Sequence, residues 1–208
     1  MRVSRFFAAT AVSLLFSAAL HAAHVDMTDP RRALGREDNI RVDAQLLQDS
    51  ISPSSPLSVT YQIENLTNET IGVADRISDV SYDADTATIL LSIGAEVPTG
   101  TSMPRVTTIA PGQKHVFNAG GLVHVAVPRQ RTPWTSVPHY VQIRVIVLRD
   151  VKPFAALLDQ QAKSTAPVAL PNDLFDKWVD ASDSVSLNSI PVRWSGRDEH
   201  ATADVSER

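Results

Sequence analysis

Chemistry in this chain has to start from carboxylates, imidazoles, hydroxyls, amines or indoles, because its 208 residues include no cysteine. That excludes disulfides, thiolate metal sites, cysteine nucleophiles and a lipid-anchored cysteine. Asp79, Asp83 and Asp85 form the densest carboxylate cluster, and carboxylate oxygens on a loop are what calcium takes as ligands. The segment has neither the alternating Asp/Asn ladder nor the closing Glu of an EF-hand loop, and aspartates also favour turns by bonding their own backbone. An ordinary turn is expected there, and no metal. His24, His115, His124, His139 and His200 include no His-x₃-His spacing of the zinc-binding kind. His115 and His124 become cross-strand neighbours if a hairpin turns between Ala119 and Gly120, and a one-residue slip would part them to opposite faces. Exposed strand histidines are the plainer account.

Covalent and phosphate chemistry have no anchor either. The chain contains no Gly-x-Ser-x-Gly elbow, no Ser-x-x-Lys pair, no Gly-x-Gly-x-x-Gly and no Walker loop. Glycoside hydrolysis by two carboxylates depends on a separation that sequence does not define. The expectation is a protein that is not an enzyme and carries no cofactor. Its best binding candidate is Trp134, which lies between Pro128 and Pro138 near Arg129, Arg131 and His139. Trp and Arg often dominate interface energies, so Arg129, Arg131 and Trp134 are the expected partner-binding residues. The competing account is a loop Trp folded over the end of the domain.

The elements that must position these residues read mainly as strands. Ile40, Val42, Ala44 and Leu46 alternate with polar residues, as do Leu57, Val59, Tyr61 and Ile63, and Val141, Ile143, Val145 and Val147. Shorter strands are expected around Ile71, Ile89 to Ile93, Val106 to Ile109, Phe117 and Val123, with Ala119-Gly120-Gly121 as a hairpin turn. Tyr140 to Leu148 reads as a central strand. A short helix opens at Pro153, and a second starts with Asn172 as N-cap and an apolar stripe of Leu174, Phe175, Trp178 and Val179. Val185, Leu187, Ile190, Val192 and Trp194 alternate again, with a phase shift near Asn188 and Pro191 confined to an edge. Eight to ten short strands, roughly, with frequent turn signals point to an antiparallel β-sandwich with one or two short helices near the C-terminus.

The ends read differently from the middle. Arg2 and Arg5 precede an apolar run from Phe6 to Leu20 that closes among small residues, the pattern of a general secretory signal peptide over residues 1–22. The run is short for a bilayer crossing of about 20 residues, so no transmembrane segment is expected. Residues 23–38 read as an extended or mobile leader, 39–194 as the sandwich domain and 195–208 as a polar tail. The whole chain carries a net charge of −4. Removing the basic leader peptide makes the remainder more acidic, which argues against nucleic-acid binding.

The run Leu57 to Ile71, with its Asn65-Leu66-Thr67-Asn68 turn, and the later Ile109-Ala110-Pro111-Gly112-Gln113 resemble bacterial immunoglobulin-like domains. The resemblance spans residues 39–149 and implies a sandwich without implying an active site. Pro128 to Trp134 also resembles the proline, basic and aromatic stretch that precedes a long strand in pilus-type periplasmic assembly chaperones, a family with two sandwich domains where this chain has room for one. The expected function is a non-catalytic, periplasmic or secreted interaction module with an envelope or extracellular protein partner. The alternatives are a chaperone of that type and a carbohydrate-binding module. Intact mass of exported protein checks the leader: loss of the first 22 residues is expected, and an extracytoplasmic form still beginning at Met1 would refute it.

Overall fold

The computed structural model describes residues 29–52, 56–95, 102–122 and 137–195. The fold is mainly β, with two packed sheets and two short helices near the C-terminus. The smaller sheet has the order β1 (Arg32–Glu37), β2 (Ile40–Leu46), β4 (Pro56–Asn65) and β9 (Lys114–Leu122). The larger has the order β6 (Ile77–Asp83), β7 (Thr88–Gly94), β10 (Tyr140–Leu148), β5 (Ile71–Ala74) and β8 (Val106–Ile109). Along the other edge of β10 run β11 (Ser182–Ser186) and β12 (Ile190–Pro191), so Pro191 does sit at an edge. Two short strands, β3 (Ser50–Ile51) and β13 (Arg193–Trp194), pair with each other.

The alternating strands behave as their pattern requires. Ile40, Val42, Ala44 and Leu46 of β2 and Leu57, Val59, Tyr61 and Ile63 of β4 all point into the sandwich, facing Val141, Ile143, Val145 and Val147 of β10. Tyr61 stacks on Phe117 of β9 at 5.1 Å between ring centroids, and its hydroxyl donates to Ala74 O at 3.2 Å, joining the two sheets. Burial pushes the Tyr61 phenol upward.

Three expectations are corrected. The leader does not extend to residue 38, because Arg32–Glu37 forms β1, antiparallel to β2. Its inward residues are the small Ala33 and Gly35, while Leu34 faces outward, so no apolar alternation marks it. The mark it does carry is Asp38-Asn39, both with positive φ (41° and 64°), the two-residue turn that matches strand twist. Ala119-Gly120-Gly121 is not a turn: β9 runs through it, with Gly120 opposite Ser58 and Gly121 opposite Leu57. The ten-residue β4 supplies a partner along that whole length. Finally, the sandwich is not wholly antiparallel, since β7 pairs with β10 in parallel. The long connection that parallel pairing needs includes β8 and β9.

Asn65 closes the end of β4. Fully buried, it donates from Nδ2 to Glu69 O (2.8 Å) and Ile109 O (2.9 Å), and its Oδ1 accepts from the Thr67 amide (3.0 Å) and hydroxyl (2.7 Å). The Asn-Leu-Thr sequence is thus a turn whose side-chain amide is spent inside the fold. Asn65→Ala should cost about 2 to 3 kcal/mol, because it strands buried carbonyl and amide groups. Urea unfolding with an unchanged m-value checks this.

Candidate functional site

The second half of β10 is apolar on both faces, with Ile146 and Leu148 turned away from the sandwich. A second core covers Leu148. It is built from α1 (Ala155–Lys163), the 3₁₀ turn Lys152–Phe154 that opens it, and α2 (Asn172–Ala181). Trp178 of α2 is fully buried, meets Phe154 edge-on at 5.1 Å and donates from its indole to Ala95 O at 3.1 Å. The cap of α2 is Pro171, without a side-chain bond, where Asn172 was the expected N-cap. Its stripe is narrower than expected: Phe175 and Val179 are exposed.

Covering β10 in this way lays α1 beside β8, the edge strand of the larger sheet. Between them lies a groove of about 460 Å³. Val106, Val151, Ala155, Leu158 and Ala162 line it with apolar surface, and the α1 contributors fall at helical spacing on one face together with Asp159. Gly72 of β5 makes the floor possible, since a Cβ there would lie 2.8 Å from Val106 Cγ1 and 2.9 Å from Val151 Cγ1. On one rim, Lys152 Nζ and Glu69 Oε2 pair at 2.8 Å, and Glu69 holds the Lys152 ammonium above its ordinary pKa. Arg105 caps the C-terminal end of α1, donating to Gln161 O at 3.1 Å. Asp159 makes no ion pair among the described residues.

Gln161 is the polar residue at the centre of this arrangement, 6% exposed. Its Nε2 donates to Pro104 O at 2.9 Å, and its Oε1 accepts from the Val106 amide at 3.2 Å. The Val106 N–H therefore points away from β5. Antiparallel alternation then turns the N–H and C=O of Thr108 the same way, into the groove. Among the described residues nothing bonds to them. The groove offers backbone donors and acceptors, an apolar floor, Arg105, the paired Lys152 and Glu69, and Asp159, which makes no ion pair among the described residues. It is equipped to hold a chain.

None of the described residues singled out from sequence lines the groove. Arg129, Arg131 and Trp134 lie outside the described residues, as do His24, His124 and His200. His115 is on β9 opposite Ile63, 4.5 Å from the Phe117 ring, and His139 precedes β10 in the other sheet, so the fold does not bring these two together. Asp79 is exposed on β6, and Asp83 caps the following turn, accepting from the Asp85 amide at 3.0 Å and the Thr86 hydroxyl at 2.8 Å. The groove residues escaped sequence reading. The available signal was Gln161 itself, spaced seven from Phe154 on the face that should have been apolar.

The Thr86 hydroxyl, then the turn amides, hold the Asp83 carboxyl below its usual range. A depressed folded-state pKa gives stabilisation at neutral pH that is lost as pH falls through it. Asp83→Ala should therefore lower the melting temperature at pH 7, with the difference narrowing below about pH 4. EDTA should leave both proteins unchanged, because the Asp83 oxygens already serve the turn; differential scanning calorimetry reads both. Compared with protein-family models, curated proteins and solved structures, the chain matches none of them.

Proposed function

We propose that the protein is a non-catalytic, exported interaction module that holds an extended segment of an envelope or extracellular partner along β8, against α1. The observation that carries this reading is the free backbone edge at Thr108 facing an apolar groove. An extended peptide satisfies such an edge by adding a strand, and its alternate side chains enter the groove and give selectivity. Asp159 favours an apolar segment bearing a lysine or arginine. Export rests on the N-terminal sequence pattern. Among the described residues no helix is long and apolar enough to cross a membrane.

The test uses a fluorescent, blocked heptapeptide of alternating valine and threonine with one central lysine. Thr108→Pro removes the outward N–H, and proline is tolerated at that position because the lost donor is not one that pairs with β5. Fluorescence anisotropy should show binding weakened by at least about tenfold, with the melting temperature little changed. Undiminished binding to Thr108→Pro would refute the site. Trp134→Ala, run alongside, distinguishes the groove from the loop bearing Arg129, Arg131 and Trp134: loss of binding there instead would give the partner surface to that loop.

A further inference from the structure

Gln161 carries information about direction as well as location, and the inference rests on the peptide-groove reading above. In a parallel ladder, an incoming residue donates its N–H to the carbonyl one place before its opposite number and accepts from the N–H one place after. The Gln161 amide does this: it donates to Pro104 O at 2.9 Å and accepts from Val106 N at 3.2 Å. It stands where one residue of a parallel strand opposite Arg105 would stand. The next couple of the same kind is Val106 C=O with Thr108 N–H, and it is free among the described residues.

An antiparallel strand meets a different edge. It exchanges both bonds with a single residue; Thr108 has both groups for one such pair, but at Val106, the next, the N–H is already taken, so an antiparallel strand continuing that far would drive its carbonyl against Gln161 Oε1. We infer that the groove takes an extended, apolar, lysine- or arginine-bearing peptide running parallel to β8, with its N-terminal end held at Gln161. The bound strand then runs from the Arg105 end of the groove toward the Lys152 and Glu69 end. Its side chains flanking the residue opposite Thr107 share the face of Val106 and Thr108, which is the face lined by Leu158 and Asp159. Gln161 is a positioning residue that fixes register and direction.

The absence of cysteine makes the test direct, since any introduced thiol is unique. Ala162→Cys marks the Gln161 end of the groove and Ala155→Cys the Lys152 end. The valine, threonine and lysine heptapeptide is supplied with a cysteine at either its N- or C-terminus, activated as the thionitrobenzoate disulfide. Exchange with the protein thiolate forms the protein–peptide disulfide and releases coloured thionitrobenzoate. The N-terminal cysteine should trap Ala162→Cys, and the C-terminal cysteine Ala155→Cys, each at least about tenfold faster than the swapped combinations, as proximity raises effective concentration. Equal or reversed preferences overturn the parallel direction while leaving the groove as the binding site. No trapping above that of free cysteine in any combination overturns the groove reading itself. In the Gln161→Ala background the preference should fall toward unity; a preference retained in a folded Gln161→Ala protein shows that Gln161 does not set direction and overturns its assigned role.

Discussion

The fold depends on a strand that has no polar face over half its length. Val145 and Val147 of β10 fill the sandwich core while Ile146 and Leu148 point the opposite way, and all four are buried. Leaving Leu148 in water would forgo roughly 1.5 to 3 kcal/mol, and the chain after β10 returns as a second apolar layer over it. Phe154 and Trp178 supply it. The buried indole cannot be left without a partner, and Ala95 O, released where β7 ends, accepts its N–H. Once these contacts fix the helices, α1 has one place to lie, beside β8.

Both sheets have edges, and the chain treats them differently. At β1, Asn188 takes both groups of Leu34, its Oδ1 accepting from the Leu34 backbone N–H at 2.6 Å and its backbone N–H donating to Leu34 O at 3.1 Å. Gly35 permits this approach, because a Cβ there would come within 2.6 Å of Ser186 O. The outer face of the smaller sheet is crossed by ion pairs that link Arg32 to Asp43, Asp43 to Arg41, Arg41 to Glu64 and Glu64 to Lys114. Leu34 is thereby closed to pairing, and the charged face is a poor template for another strand. At β8 the side-chain amide of Gln161 takes one N–H and, among the described residues, leaves Thr108 open.

Legibility followed the size of the inward-facing side chains. Strands whose core residues are large and β-branched, such as β4 and β10, were readable because alternation is a local consequence of the pleat. β1 was hidden because Ala33 and Gly35 are small, and the strand at Gly120 and Gly121 read as a turn because glycine satisfies either. The stripe on α2 is narrower than its sequence pattern: Phe175 and Val179 share a helical face with Leu174 and Trp178, yet only the latter pair packs with Leu148 and Phe154.

By itself the sequence determined the class of fold, the absence of thiol chemistry, the acidic balance and the positions of most strands and both helices. These depend on composition and on periods of two and about 3.6 residues, which a single segment carries within itself. Tertiary structure decided which strands meet, that β7 and β10 run parallel, and that Gln161 reaches Val106 across 55 residues of chain. A hydrogen-bonding edge is left free or taken only after distant segments have competed for burial. No local pattern records the outcome of that competition, so the groove became visible only in the folded chain.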